Sequence, residues 1–275
     1  MAGAIEPVEV DTAAGVVAVH VLGAGLPTVL WHGLPTDGSC WLYVLPALLP
    51  GRRLLVVDGP GWGRSGRLRR GAGMPEVVDA AREVVTTLAP GAAVDWVGVG
   101  WGGRVGLQLT ARSPALVRSL VLAMADPAPM PADERRRLRA TLRLLRVLGP
   151  VGPVGRDLVR DQLAPDSRVE PQTVGSLLDA LLLAGRLQAA RSIARFDVRR
   201  PDLTGLLPTV TAPVLLLAGD AASPWPVSRA AEVAALAPFA QVAEVPRARL
   251  QPHLDRPEAF SAAVRRFWAD LEHPA

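Results

Sequence analysis

Short runs rich in Val and Leu recur along this chain with helix-length segments between them, and few architectures accommodate that rhythm. The runs Thr28–Trp31, Leu54–Val57, Val94–Val99, Ser119–Ala123, Val214–Leu217 and Gln241–Val245 are nearly continuous in apolar character. Strands that alternate in character keep one face wet, whereas continuous ones suit a parallel sheet covered on both faces. An antiparallel pair is expected ahead of them at Val8–Val10 and Val16–Leu22. Helices are expected at Leu42–Leu49, Pro75–Leu88, Gly102–Ser113, Val227–Leu236 and Pro257–Leu271. The pattern predicts an α/β fold with a mostly parallel sheet flanked by helices.

The stretch 127–207 breaks the alternation. It reads as helices separated by Pro/Gly turns such as Gly149-Pro150-Val151-Gly152-Pro153. Leu138, Leu142 and Leu145 recur there at helical spacing. Opposite them lie Arg135, Arg136, Arg137, Arg139, Arg143 and Arg146. The expected organisation is a core from 1–126 and 208–275 with a helical cap, or lid, over 127–207. No internal repeat interrupts it.

Composition narrows the function classes. The 275 residues are 49% hydrophobic, enough for a substantial core. The formal charge is +4 although the pI is near 10.6. Both hold because every basic side chain is Arg and none is Lys; Arg stays protonated far into alkaline pH. That usage, with abundant Ala, Gly and Pro, reads as a high-GC, actinobacterial type of gene. The arginine-rich segment is read as the solvated face of a helix, so no nucleic acid is expected as a partner. No apolar run is long enough for a bilayer, so no membrane is expected either. The single Cys40 allows no internal disulfide, and the N-terminus lacks the look of a signal peptide. A cytoplasmic setting is the expectation.

One junction carries the chemistry. The strand-like Val94-Asp95-Trp96-Val97 runs into Gly98-Val99-Gly100-Trp101-Gly102, and a helix-like run follows from Arg104 to Arg112. A strand–turn–helix of this form can present a nucleophilic Ser at its tip. Here the tip is Gly100.

Other segments complete a pattern. Trp31-His32-Gly33-Leu34-Pro35 is followed by Trp41, and Asp58-Gly-Pro-Gly61-Trp-Gly63-Arg-Ser65 forms a second turn. Pro213 to Gly219 reads as a strand ending in glycine, and Val245-Pro246…Pro252-His253 leads to the last helix. In order and spacing, these segments resemble the α/β-hydrolase family over nearly the whole chain outside the lid. The resemblance implies an eight-stranded, mostly parallel sheet with a helical lid. It also places the family's nucleophile at Gly100, its acid at Ala222 and its histidine at Leu250, so no catalytic residue, metal or cofactor is expected.

The resemblance implies an oxyanion hole in the N–H groups of Leu34 and Trp101. The substrate pocket is expected to be apolar and enlarged by the replaced residues. Its expected lining is Leu34, Trp41, Gly100, Trp101 and Met124, together with Ala222, Trp225 and Leu250; Arg249 faces an acidic group on a ligand. His32 and Asp58 are read as turn-holding residues, and Cys40 as a buried small side chain.

Without a nucleophile, the first expectation is an enzyme of another class acting on a small molecule or modified peptide. The missing triad resembles that of the α/β-hydrolase-fold epimerase of bottromycin-type peptide biosynthesis. This resemblance implies abstraction of an acidified α-proton, on an aspartate next to a thiazoline, by substrate-assisted catalysis. A non-catalytic carrier of a hydrophobic metabolite, a cyclase or lyase on a polyketide-like intermediate, and a pseudoenzyme acting through its surface stay open. The sequence does not set the oligomeric state.

Overall fold

A computed structural model describes residues 6–220 and 223–273. The strands are β1 (Val8–Thr12), β2 (Gly15–Gly23), β3 (Leu26–Trp31), β4 (Arg52–Val57), β5 (Val94–Val99), β6 (Val117–Ala123), β7 (Val214–Ala218) and β8 (Ala240–Glu244). They form one eight-stranded sheet in the order β1-β2-β4-β3-β5-β6-β7-β8. β2 runs antiparallel to both β1 and β4, and every later pairing is parallel. The expected eight-stranded, mostly parallel sheet is therefore present. β5, at its centre, is buried at every position, as a strand covered on both faces must be.

Helix α1 is shorter than the Leu42–Leu49 expected. A 3-10 turn over Gly38–Trp41 comes first, capped by Asp37, and α1 is confined to Leu45–Leu48. Pro46 sits in the first turn of α1; it lacks an N–H and could not continue a helix begun earlier. Helix α2 (Met74–Leu88) starts where Glu76 reaches back to the Gly73 N–H, 2.6 Å away. Helix α3 (Trp101–Arg112) follows β5 with only Gly100 between them.

Between β6 and β7 the chain makes α4 (Ala132–Leu148), α5 (Gly152–Gln162), α6 (Pro171–Ala184) and α7 (Arg186–Ile193). A π turn at Ala194–Val198 and a 3-10 segment at Thr204–Thr209 return it to the sheet. Leu142 and Leu145 of α4 are buried, and Arg136, Arg139, Arg143 and Arg146 are exposed. The remaining helices are α8 (Val227–Ala234), α9 (Pro252–Asp255) and α10 (Pro257–Glu272).

What positions the site is the seat of α3 on the sheet. Trp31 of β3 stacks on Trp96 of β5 at 5.5 Å, and the Trp96 indole N–H donates to the Gly102 carbonyl at 3.0 Å. A Cβ on Gly102 would run into the carbonyl oxygen of Trp31. Only glycine lets the first turn of α3 come this close, which fixes its N-terminus over the carboxyl ends of the central strands.

Candidate active site

The turn at Gly100 keeps a special shape. Its φ and ψ are 49° and −109°, a region that costs an ordinary residue about 1–3 kcal/mol and costs glycine little. Its N–H donates to Ala123 O at 2.9 Å, and its carbonyl accepts from Arg104 N at 3.1 Å. A Cβ built on Gly100 would meet only the Gly33 Cα, 3.9 Å away. Space for a reacting group is open at the tip of the turn.

Two backbone donors flank that space. Trp101 opens α3, where leading N–H groups have no partner within the helix. Leu34 follows Gly33, whose carbonyl is held by the Thr36 N–H at 3.1 Å, the Thr36 hydroxyl at 2.8 Å and His32 Nδ1 at 2.8 Å. Among the described residues neither the Leu34 nor the Trp101 N–H donates to another protein group. His32 also accepts from the Gly59 N–H through Nε2 at 2.9 Å. Nδ1 therefore carries the ring proton, and burial lowers the pKa of the imidazole. Asp58 accepts from Gly38 N at 2.6 Å and Arg64 N at 2.7 Å. Both side chains hold turns, as expected. Cys40 is buried, and burial pushes its thiol well up.

A cavity of about 660 Å³ opens above the turn, between the strand ends and helices α4 and α5. Of the residues expected around it, Leu34, Gly100, Trp101, Met124, Arg249 and Leu250 line it. Met124 has a φ of 49°, the second residue of this region held at positive φ. Trp101 contributes chiefly backbone. Its indole is shut between Phe196, stacked at 5.1 Å, and Trp31 and His32, edge-on at 5.9 and 5.6 Å.

Two of the expected residues differ. Trp41 does not line the cavity; it lies under His253 at 4.6 Å and Phe260 at 6.1 Å. Trp225 is also buried away from it. The Gly219 N–H donates to the Trp225 carbonyl at 3.0 Å, which folds that loop inward and leaves Ser223 and Pro224 facing the cavity. Ala222 lies outside the described residues.

The cavity is not apolar, which corrects the largest expectation about it. α4, α5 and the end of the π turn supply charged side chains that the comparison of triad positions does not register. The core adds Arg104, which is 2% exposed, and Gln251, which is 1% exposed. Gln251 donates from Nε2 to Gln162 Oε1 at 2.9 Å and Leu34 O at 3.4 Å. Both neighbours are acceptors, so the amide nitrogen must face them. Oε1 is left buried and without a partner among the described residues. Arg104 pairs with Asp197 and donates to Phe196 O at 3.3 Å. Sequence reasoning missed these groups. Arg104 alone carried a signal, as one cation within the small and apolar run Gly102-Gly103-Arg104-Val105-Gly106-Leu107.

Among the described residues no side-chain base touches the tip of the turn, where a Cβ on Gly100 would meet only the Gly33 Cα. His253 is buried with neither ring nitrogen partnered, and burial, with the nearby His32, lowers its pKa to about 3. It is a neutral packing residue. Asp220 accepts from Arg247 N at 3.1 Å, and Asp126 from Ala128 N at 2.8 Å, so both carboxylates brace loops. Among the described residues no group of three or more His, Cys, Asp or Glu is placed to hold a metal ion. The arrangement can hold a carbonyl oxygen on two N–H groups; it cannot form a covalent acyl intermediate at Gly100.

The sequence pattern of the Alpha/beta hydrolase family matches residues 28–263. A pimeloyl-[acyl-carrier protein] methyl ester esterase of Yersinia enterocolitica is 28% identical, covering 86% of this chain and 90% of its own. A candidate carbamate hydrolase, RutD, of Variovorax paradoxus is 33% identical over 77% of this chain and 80% of its own. Among solved structures, a thermophilic esterase from Thermogutta terrifontis with malate bound superposes with a TM-score of 0.84. It shares 24% identity and covers 98% of this chain and 100% of its own. An enol-lactonase from Burkholderia xenovorans LB400 gives a TM-score of 0.84 at 19% identity, over 95% of this chain and 100% of its own. At those identities the structures speak for the fold. The sequence relatives carry hydrolase names, and they overturn the expectation of a peptide epimerase in natural-product biosynthesis.

Proposed function

The chain belongs to the alpha/beta hydrolase family, and from that premise we propose that it binds an acyl carbonyl at the Gly100 turn and promotes its hydrolysis by direct addition of water. The substrate class is an ester, lactone or carbamate, in keeping with the names of its relatives. The observation that carries this reading is the pair of unengaged N–H groups, on Leu34 and Trp101, beside open space at Gly100.

A water oxygen forms a bond to the carbonyl carbon while the π pair moves onto the carbonyl oxygen. That oxygen is stabilised by the two N–H donors. Gln251 Oε1 accepts one hydrogen bond from the attacking water and so orients it. Collapse of the tetrahedral adduct expels the alcohol or amine, which takes up the proton lost by the water through solvent. In serine hydrolases stripped of their triad, oxyanion-hole and binding effects still leave about 10³–10⁴-fold acceleration over water. That range is the scale expected here.

Methyl and p-nitrophenyl esters, a γ-lactone and a carbamate, assayed in H₂¹⁸O, test the reading. Acceleration of about 10³-fold is expected, with one ¹⁸O in the acid product, no burst and no labelling by a fluorophosphonate. Rates equal to buffer for all four classes overturn it.

A further inference from the structure

Arg104 and Arg200 meet at one end of the cavity, and their electrostatics are incomplete. Arg104 comes from the first turn of α3 and is 2% exposed. Its Nε is buried with no acceptor among the described residues, although its terminal nitrogen pairs with Asp197. Arg200 follows the π turn of the inserted segment. Its Nε donates to Ala128 O at 2.8 Å, and no carboxylate among the described residues comes within 4.0 Å of its guanidinium. Both line the cavity that holds the Gly100 turn.

Among the described residues the surrounding carboxylates leave Arg200 without a contact partner. Asp197 offsets one cation. Arg137 is held by Asp133 at 3.2 Å; Asp126 accepts from Ala128 N and lies 4.0 Å from Arg229, which is itself paired with Glu232 at 2.7 Å. Glu134 lines the cavity and acts on Arg200 only at longer range. Burial and the like charge of Arg104 together push Arg200 down to about 10. A cation held next to another cation, half out of water, gains from an anion that both can reach.

We propose that Arg104 and Arg200 form an anion subsite for a carboxylate carried by the substrate, in the same cavity as the reacting carbonyl. The preferred substrate is then an ester, lactone or carbamate that also bears a free acid. The placement of the reacting carbonyl rests on the hydrolytic reading above, whereas the subsite rests on the arginines alone. Among the described residues Arg200 has no carboxylate at contact distance, so a single negative charge placed there pairs it, which a monoanion supplies. The unused Nε–H of Arg104 and the planar fork of Arg200 suit a carboxylate, whose two oxygens accept parallel N–H bonds. π segments are frequent at functional sites, and this one brings Asp197 and Arg200 to the cavity.

Calorimetric titration with hexanoate, hexyl phosphate and hexanol tests the subsite without requiring turnover. Hexanoate is expected to bind at least tenfold more tightly than hexanol, and to weaken as salt is raised. Arg200→Gln should weaken hexanoate at least tenfold while leaving hexanol unchanged, and Arg200→Lys should restore part of the loss. Equal binding of hexanoate and hexanol, or unchanged hexanoate binding in a folded Arg200→Gln, overturns the proposal. Tighter binding of hexyl phosphate than of hexanoate overturns the carboxylate assignment. Arg200-dependent hexanoate binding without ester turnover keeps the subsite and removes the hydrolytic reading; turnover without such binding does the reverse.

Discussion

Two clusters of buried charge sit at opposite ends of the same sheet and are built by opposite rules. At the amino ends of the strands, Asp95 accepts from Arg118 at 2.9 and 2.6 Å, from the Ser119 hydroxyl at 2.6 Å and from Arg52. Arg52 also reaches Glu272 at 3.0 Å and lies 3.5 Å over the Trp268 ring. Two cations meet two carboxylates there. At the carboxyl ends, Arg104 has only Asp197 at contact distance, and Arg200 has no carboxylate within 4.0 Å among the described residues. The difference shows in two arginines: the hydrogen bond to Asp95 pushes Arg118 up, and burial pushes Arg200 down. A saturated cluster has no capacity left for a ligand and serves the fold. An unsaturated one borders the cavity, where a ligand can reach it.

The largest effect should come from breaking the saturated cluster. Asp95→Asn keeps the volume, removes the charge and leaves the buried Arg52 and its neighbour Arg118 with the exposed Glu272 as their one carboxylate among the described residues. Urea unfolding should show a loss of about 3–5 kcal/mol, with hexanoate binding unchanged. A smaller loss would mean that the two clusters are not as different as their geometry implies.

His253 supplies a third kind of buried polar group, one with no charge partner. Its folded pKa of about 3 lies below its ordinary 6.5, so the unfolded chain binds more protons between those values. Its contribution is fully present above pH 6.5 and is lost as pH falls towards 3, with a slope of ~1.4 kcal/mol per pH unit. His253→Phe should flatten that part of the stability–pH curve. An unchanged curve would assign the acid sensitivity to other groups.

Gly100→Ala tests the turn between the clusters. There is room for the methyl, so the cost is conformational, about 1–3 kcal/mol in chemical unfolding. At the unsaturated cluster, Asp197→Asn should act with two signs. Stability falls by about 1–2 kcal/mol as Arg104 loses its partner, and hexanoate binds about threefold to tenfold more tightly as the local charge rises. The same kind of substitution at Asp95 gains no affinity. The smallest effect is expected from Gln251→Leu, a roughly tenfold fall in kcat, or about 1.4 kcal/mol, with KM little changed.

Legibility followed the range of the interactions. β5 was readable to the residue because its run is apolar apart from Asp95, and α3, expected over Gly102–Ser113 and found over Trp101–Arg112, was readable to within one residue at each end. The turn at Gly100 was readable from its neighbours in sequence, whereas the Leu34 and Trp101 donors came from the family resemblance and the bonds of His32 to Gly59 and of Asp58 to Gly38 join residues distant in sequence. Trp225 was misplaced because a bond between Gly219 and its own carbonyl, and the bridge from Gly219 to Pro226, turn the loop inward. The cavity was expected to be apolar because only its lost triad positions were considered. Its charged wall comes from the inserted helices, whose polar residues read as solvated. Nothing local separates Arg200 from the exposed Arg199 beside it; only the path of the returning chain decides which of them reaches the cavity.

The bonds made by α5 have a mechanical consequence. Its last residue, Gln162, holds Leu250 N at 3.1 Å and Gln251 Nε2 at 2.9 Å. Just beyond it, Ala164 N reaches Asp255 at 2.9 Å, and Asp166 pairs with Arg256 at 2.6 Å. α4, on the other wall, packs chiefly on α5, α7 and the π turn. The inserted helices thus have a spine, sewn to the last helices of the core, and a fore-edge held mainly by its own pages. The fore-edge borders the end of the cavity where the two arginines lie.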